Sequence, residues 1–468
     1  MKLSHNSILL FLFTLGTLFL LQYVFDVKSY IITILCYGFL VFILLKRSLA
    51  ETFFYLLLIT IPIEKGIRDW TITIVPNGIE SWMQGYSLYV GFTLKLIFTI
   101  TIIALLLTKK SRLFIHPQKN LIIFIFFVSL STLMAIESSL AFVGYIRIVL
   151  GICLYLIGEY MYYHVKQKRD IVYILLALLL FFGFIGIRQQ LHAQPLGLFL
   201  EDSASFRPFG YTTTDGDPLY RVSGFTGHPT FFGSFLSLLF PVGVGLFLEA
   251  QKNKNKRLFY VSLFVIILSC VSIISTQSRS SWIAVAMITL FFIVMAIRKK
   301  EKHAIKFLSL GASIIAMIAI FIAPTVLNRL ASIPDVWTTG SGNVRLLLIQ
   351  QAWEIILAYP IFGVGLNHFV RIMSSHELPV NLQGFMFPVH NTFLLFFSEL
   401  GIPAGIAFLW FSMSIMYKAF NRARKNWVTL GIWLGAFTFF INAQFHTLFN
   451  QDPTFDVFML LLGIISAI

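Results

Sequence analysis

A histidine at position 390 stands directly before an apolar stretch that is long enough to form a helix. A neutral imidazole at such a turn can accept a proton from a hydroxyl nucleophile, because its ordinary pKa lies near neutral pH. The next two residues, Asn391 and Thr392, are also good helix N-caps, and the spacing alone slightly favours that structural interpretation. His390 is therefore a candidate general base. The alternative interpretation is that His390 simply precedes the start of a helix and has no chemical role.

Three arginines, Arg221, Arg279 and Arg345, stand near turns that are rich in small residues. Guanidinium groups bind phosphate oxygens through paired hydrogen bonds and stay charged at any working pH, so several of them around one cavity would hold a diphosphate. Any single arginine is at least as well explained by snorkelling to lipid head groups or by pairing with an acid. The three together favour anion binding.

Four other polar residues are expected to have structural roles. Lys95 and Arg147 lie inside apolar stretches and are predicted to form pairs between helices. His228 and His446 stand at the edges of apolar stretches and are expected to support the structure or the surroundings of a site.

One loop and one turn leave alternatives open. Acidic residues before position 228 could bind a divalent cation through oxygen atoms, but a solvated loop is the preferred interpretation, and no metal site is predicted. These residues are Glu201, Asp202, Asp215 and Asp217. The segment 359–367 is expected to be a tight turn whose glycines let the backbone approach a ligand, or else simply a helix end and turn.

The composition determines which elements position these residues. Of the 468 residues, 58% are hydrophobic and 12% are charged, whereas a water-soluble domain usually carries about twice that charge. Apolar stretches of about 20 residues cross a bilayer as helices, since lipid offers no partners for free backbone groups. The sequence therefore predicts an all-α polytopic membrane protein with about 12–14 transmembrane helices. The candidate spans are 7–25, 29–45, 51–63, 86–107, 119–136, 140–163, 171–188, 228–249, 258–276, 279–297, 305–323, 391–417, 427–446 and 455–468.

The charged residues are sorted along the chain. The formal net charge is +15, from 35 Lys and Arg against 20 Asp and Glu. With the N-terminus in the cytoplasm, most of the basic residues fall in loops on the cytoplasmic side, as the positive-inside rule requires. The basic excess is therefore interpreted as membrane topology, and no nucleic-acid partner is expected.

The longest connections, 64–85, 189–227 and 324–390, fall on the opposite, extracytoplasmic side. Long loops tend to carry function, and the spacing of apolar residues over 343–358 predicts an amphipathic helix lying on the bundle. The expected organisation is transmembrane helices in 1–188, 228–323 and 391–468, separated by extracytoplasmic loops at 189–227 and 324–390.

Several of these motifs resemble the O-antigen ligase and O-antigen polymerase superfamily of bacterial envelope glycan enzymes. His390-Asn391, followed after nine residues by Gly401, is similar to the histidine motif of the ligases, although Ala404 stands where the family usually has Gly, Thr or Tyr. The other similar elements are Arg345 with Ile349 in place of the family's Leu, Ser278-Arg279-Ser280, and Pro360-x-x-Gly363-x-Gly365. The resemblance covers about 220–410, and the first half of the chain is similar to the family only in hydropathy.

The resemblance implies glycan transfer at the outer face of the bacterial cytoplasmic (inner) membrane. The donor would be a glycan linked to undecaprenyl diphosphate, and the acceptor a sugar hydroxyl, on lipid A-core for a ligase or on another lipid-linked glycan for a polymerase. His390 would be the general base, Arg279 and Arg345 would stabilise the leaving diphosphate, and Arg221 is a weaker third candidate. The family is regarded as metal-independent, and no cofactor is expected. One direct displacement would invert the anomeric configuration.

Two alternatives remain, a polymerase of O-antigen, capsule or teichuronic acid, and a transporter of lipid-linked glycans. Sequence motifs separate a ligase from a polymerase poorly. A transporter is the lesser alternative, because no internal repeat is seen and the polar candidates lie at the outer edge of the spans. No Walker-type loop, CxxC pair or HExxH motif occurs in the sequence, which leaves a nucleotide-driven pump and a zinc protease without support.

Overall fold

The computed structural model describes residues 5–23, 27–63, 71–73, 89–91, 94–108, 118–196, 211–212, 218–305, 309, 311, 341–374, 387–450 and 453–468. The protein is a helical polytopic membrane protein, as its composition predicts. Within these residues, six helices are long and apolar enough to cross a membrane, and seven shorter helices of 10–17 residues are also apolar.

The first part of the described chain consists of helices and two short sheets. The helices are α1 (His5–Leu21), α2 (Val27–Leu44), α3 (Leu49–Thr60), α4 (Leu94–Thr108), α5 (Lys119–Leu133), α6 (Ser138–His164) and α7 (Lys168–His192). Strand β1 (Thr71–Thr73) pairs antiparallel with β2 (Tyr89–Gly91), and β3 (Tyr211–Thr212) pairs antiparallel with β4 (Pro218–Leu219).

The described residues after β4 form the helices that carry the candidate site. They are α8 (Pro229–Lys252), α9 (Lys256–Ser275), α10 (Arg279–Arg298), α11 (Ser341–Ala358), α12 (Phe369–Ser374), α13 (Thr392–Leu400), α14 (Ile402–Ala423), α15 (Trp427–Asn442) and α16 (Thr454–Ser466). A 3-10 turn, Leu448–Asn450, precedes α16.

The predicted spans differ from the observed helices at three places, and each of the others contains an apolar helix. Of the predicted span 305–323, only residues 305, 309 and 311 are described. Within the predicted span 86–107, the prediction of helix is wrong at Tyr89–Gly91, which forms a strand, and α4 covers Leu94–Thr108; tyrosine and valine favour strands. Gly401 divides the predicted span 391–417, since its φ of 83° lies in a region that glycine adopts without strain.

Helix α11 confirms that the segment 343–358 is helical, although exposed positions of the helix also carry large apolar side chains, namely Leu346, Trp353 and Leu357. Leu348, Ala352 and Ile355 recur on one face and are buried. They pack with Phe369 of α12 and Leu395 of α13 in a small apolar cluster. The burial of that face anchors α11, which also carries Arg345, against the helix that begins next to His390.

Glycines bring two pairs of helices close together. A Cβ atom at Gly158 of α6 would lie 2.6 Å from the carbonyl oxygen of Leu460 in α16, and one at Gly435 of α15 would lie 2.5 Å from the carbonyl oxygen of Leu238 in α8. Lipid tails are as apolar as the helices, so association within the bilayer depends on close packing of this kind. Helices α8 and α16 are buried along most of their length, and these two pairs form the core of the bundle.

Lys95 of α4 confirms the predicted interhelical pair. Its ammonium lies 2.5 Å from a carboxylate oxygen of Asp456 in α16, and both side chains are almost fully buried. Two buried charges must be paired to offset the cost of removing them from water. Arg147, the other basic residue predicted to pair between helices, is half-buried on α6.

Removing one charge of this pair is expected to cost more than removing both. Lys95→Met alone should lower the free energy of unfolding by about 3–5 kcal/mol, because it leaves a buried carboxylate without its counter-charge. Lys95→Met combined with Asp456→Leu should recover most of that loss. Denaturant titration of the purified protein in detergent micelles checks the expectation, and losses that simply add in the double variant would contradict it.

The two ends of the bundle differ in charge. At one end, Lys252 and Glu301 form an ion pair of 3.2 Å, and the indole nitrogen of Trp427 donates to Glu301 over 2.9 Å. The ammonium of Lys299 lies 3.7 Å from the ring centre of Trp427. These contacts join the basic ends of α8 and α10 to the start of α15. The opposite ends of the same three helices face the candidate site, so the basic loops and the site are separated by the length of the bundle.

Candidate functional site

His390 lies in the turn before α13. Asn391 is the N-cap of that helix, since its side-chain oxygen accepts hydrogen bonds from the backbone amides of Phe393 at 3.0 Å and Leu394 at 3.1 Å. The N-cap expected at this position is therefore present, and it does not involve the imidazole of His390. In the part of the chain that the structure describes, no hydrogen-bond partner faces the buried Nδ1 atom of His390.

The environment of His390 keeps its imidazole neutral. Burial lowers the pKa of His390 to about 4; the positive charge of Arg345 acts in the same direction, and the carbonyl of Pro388 opposes the shift. At neutral pH the ring is therefore a proton acceptor. Arg345 lies on α11, so two elements that are separated in the sequence contribute a base and a cation whose charge acts on that base.

His228 is the N-cap of α8, a structural role of the kind expected for it. Its Nδ1 atom accepts a hydrogen bond from the amide of Thr230 at 3.2 Å. Burial lowers the pKa of His228 to about 3, and the charges of Arg221, His390 and Arg345 contribute in that order. Because charges shift a pKa mainly over short distances, His228 lies close to three of the candidate residues.

Arg221 is tied to the turn between α9 and α10. Its Nε atom donates to the carbonyl oxygen of Thr276 at 3.1 Å, and the amide of Val222 donates to the carbonyl oxygen of Ser275 at 3.2 Å. The same turn contains Gln277 at a φ of 52°, which is uncommon for a residue with a side chain. Arg221 therefore lies against the turn that leads into Arg279.

Arg279 is the first residue of α10, as the sequence predicts, and is half-buried. The hydroxyl of the next residue, Ser280, lies 2.6 Å from the Nε2 atom of His446. His446 is buried, and burial together with the charges of Arg345 and His390 holds its pKa well below the ordinary range.

The structure thus brings most of the candidate residues into one cluster. Its members are Arg221, Arg345, His390, His228 and His446. Arg279 adjoins the cluster through its neighbour Ser280, whose hydroxyl contacts His446. The sequence predicts at most a supporting role for His446, and the one signal for it is its position at the same outer edge of the apolar spans as His390.

The segment 360–365 makes a close backbone approach, but its partner is the chain itself. The amides of Val364 and Gly365 donate to the carbonyl oxygens of Ser398 at 3.1 Å and Glu399 at 2.9 Å. Both glycines of the segment have positive φ, at 65° and 102°. The turn therefore holds the C-terminal end of α13, the helix that His390 precedes, and we call this contact the α13 clamp.

The residue types in the cluster suit anion binding and proton transfer. Fixed guanidinium charges can bind phosphate oxygens, and a neutral imidazole can take a proton. Among the described residues, no group of three or more His, Cys, Asp or Glu could hold a metal ion. The acidic loop residues considered above as cation ligands lie outside the described residues, and they are Glu201, Asp202, Asp215 and Asp217.

Residues 263–409 match the family model described as O-antigen ligase. The matched segment contains Arg279, Arg345 and His390, and it lies within the stretch 220–410 on which the resemblance rests. The resemblance to the superfamily of O-antigen ligases and polymerases is thereby confirmed. No curated protein matches the chain.

Three residues of the site lie outside the matched segment. Arg221 and His228 precede it, and His446 follows it. In the folded chain, all three lie at the same end of the bundle as the matched residues of the site. The site is therefore built from more of the chain than the family model covers.

Proposed function

We propose that the protein, whose residues 263–409 match the family model described as O-antigen ligase, is a membrane glycosyltransferase that moves a glycan from undecaprenyl diphosphate to a sugar hydroxyl of lipid A-core. The cluster that pairs the neutral imidazole of His390 with the charge of Arg345 carries this proposal. A proton acceptor beside fixed positive charge suits a reaction that deprotonates a hydroxyl and releases a diphosphate.

The proposed reaction is a single displacement at the anomeric carbon of the donor. The acceptor oxygen bonds to that carbon while the bond from the carbon to the diphosphate oxygen breaks. His390 takes the hydroxyl proton, and the electron pair of the broken bond leaves with the diphosphate. Arg345, Arg279 and Arg221 stabilise the charge that gathers there. Diphosphate is a good leaving group, so neither a general acid nor a nucleotide is required, and the anomeric configuration inverts.

The charges that bind the donor also set the strength of the base. Arg345 lowers the pKa of His390 in the free protein. The negative charge of a bound diphosphate offsets that of the guanidinium, so donor binding raises the pKa of His390 toward its ordinary value. The base is therefore strongest when the leaving group is in place.

This coupling predicts two different acid limbs in the pH dependence of transfer. A base must be neutral to act, so the rate is lost as pH falls through its pKa. The value of kcat/KM, which reports the free protein, should stay level through neutral pH and fall only near pH 4, whereas kcat, which reports the donor complex, should fall at a higher pH. Steady-state kinetics from pH 4 to 8 check this, and a kcat limb at or below that of kcat/KM would contradict it.

The charge distribution supports an orientation in the membrane. The basic end of the bundle belongs in the cytoplasm by the positive-inside rule. The candidate site then opens at the extracytoplasmic face of the bacterial inner membrane. A lipid-linked donor and a glycolipid acceptor would meet the site at that face.

The test is transfer from a defined undecaprenyl-diphosphate glycan in proteoliposomes, with lipid A-core supplied or withheld. Glycosylated lipid A-core is the expected product. Elongation on undecaprenyl diphosphate without lipid A-core would assign a polymerase instead. Movement of the donor across the vesicle membrane without any transfer product would overturn the enzymatic proposal in favour of transport.

A further inference from the structure

The turn that follows α15 connects two helix starts of the candidate site. The Nε2 atom of His446 in this turn lies 2.6 Å from the hydroxyl of Ser280, in the first turn of α10. The backbone carbonyl of His446 accepts a hydrogen bond of 2.6 Å from the hydroxyl of Thr392, the first residue of α13. One residue therefore bonds α10 through its side chain and α13 through its backbone.

The bond to α13 is reinforced on both sides of His446. The amide of Thr392 donates to the carbonyl oxygen of Ala443 at 2.8 Å, and the hydroxyl of Thr392 accepts from the amide of Leu448 at 2.9 Å. Thr392 is itself fully buried. The turn and the start of α13 therefore form one unit, and the imidazole links this unit to α10.

A chain of serine hydroxyls ends at the imidazole. Ser281 donates to the hydroxyl of Ser278 at 2.9 Å, the hydroxyls of Ser278 and Ser280 lie 3.1 Å apart, and Ser280 is bonded to His446. A hydroxyl has one proton to donate. Ser281 already donates to Ser278. If Ser278 then donates to Ser280, and Ser280 donates to Nε2 of His446, each of the three hydroxyls donates one hydrogen bond. An imidazole that accepts at Nε2 is neutral and carries its proton on Nδ1.

The electrostatic surroundings agree with a neutral ring. Burial is the main cause that lowers the pKa of His446, and the charges of Arg345, His390, His228 and Arg221 add to it. A neutral link adds no further positive charge to a site that already holds fixed arginines. His446 can therefore connect the two helices without competing with the arginines for an anion.

We infer that His446 is a positioning residue, which fixes the start of α10, with Arg279, relative to the start of α13, with His390. The inference rests on the proposed function, and it extends that function to a residue outside the matched segment 263–409. A reacting group displaced by about 1 Å can cost about 10²-fold in rate. The link therefore acts on the rate of transfer and much less on donor binding.

Three variants test the link. His446→Ala should lower kcat by about 10- to 10²-fold, with the KM for the undecaprenyl-diphosphate glycan changed less than about threefold. His446→Gln should stay within about threefold of the wild-type kcat, because the amide oxygen of glutamine can accept from Ser280 near the place of Nε2. The acid limb of kcat/KM should keep its position in His446→Gln, since His390 sets that limb.

A double-mutant cycle identifies the partner. Ser280→Ala should lower kcat about as much as His446→Ala, and the variant with both changes should be no slower than either, because the two changes remove the same hydrogen bond. His164→Ala is the matched control, since this histidine is exposed at the far end of α6. Its kcat should equal that of the wild type.

Each result decides for or against the inference. Wild-type kcat in His446→Ala, a His446→Gln variant as slow as His446→Ala while still folded, or losses that add in the cycle would each overturn it. A second measurement does not depend on transfer. Spin labels at Ile283 of α10 and Ile402 of α14, in a background without native cysteines, should give a broader distance distribution in His446→Ala than in His446→Gln. An unchanged distribution would overturn the link even if no transfer is detected, and failure of wild-type transfer alone would count only against the proposed function.

Discussion

Replacing His390 with alanine is expected to lower kcat by about 10²- to 10⁴-fold, the usual contribution of a positioned general base. In the proposed mechanism the imidazole is the proton acceptor, and the charge of Arg345 acts on it. The protein should still insert and fold, because the start of α13 is capped by Asn391 and bonded through Thr392. The His390→Ala variant is therefore expected to be folded and to have a much lower kcat than the wild type.

Transfer from undecaprenyl-diphosphate glycan to lipid A-core measures the effect. The melting temperature in detergent and the binding of undecaprenyl diphosphate should both remain close to those of the wild type. His164→Ala controls for the loss of a histidine elsewhere in the chain. Normal transfer by the His390→Ala variant would remove His390 as the base.

Replacing Arg345 with alanine is expected to change both the rate and its pH dependence. Loss of a group that stabilises the leaving diphosphate should lower kcat by about 10²- to 10³-fold. The same change removes a positive charge that lowers the pKa of His390, so the acid limb of kcat/KM should move to higher pH. The two effects arise from one side chain and can be measured in one set of pH profiles.

Arg345→Lys separates charge from geometry. Lysine keeps the positive charge, so the acid limb should stay near that of the wild type. It lacks the planar fork that binds two phosphate oxygens at once, so kcat should still fall. An Arg345→Ala variant whose acid limb does not move, or an Arg345→Lys variant with full kcat, would contradict this assignment of roles.

Much of the fold follows from hydropathy and a few local signals. Long apolar stretches predict the helices, and the period of Leu348, Ala352 and Ile355 predicts α11. Local composition cannot show that a span is broken or starts late. The break at Gly401 depends on a backbone conformation, and the strand at Tyr89–Gly91 depends on pairing with β1, which lies outside the predicted span.

The candidate site is less accessible to sequence analysis, because it depends on which helix ends meet. The residue types at Arg345 and His390 suggest anion binding and proton transfer, and the motif spacing supports them. Nothing in the sequence indicates that His446 reaches Ser280, since the two are 166 residues apart. The same is true of the α13 clamp. The glycines of 360–365 predict that the backbone closely approaches another group, but they do not show that this group is the end of α13.

The buried pair of Lys95 and Asp456 also bears on how the chain is made. Asp456 is synthesised 361 residues after Lys95. At about 5–20 residues per second, a ribosome needs roughly 20–70 s to cover that interval. During this time the ammonium of Lys95, which stands near the first turn of α4, can reach lipid head groups or water through its long side chain. The buried pair can form only once α16 has been made and packs against α4, a helix that was inserted earlier in translation.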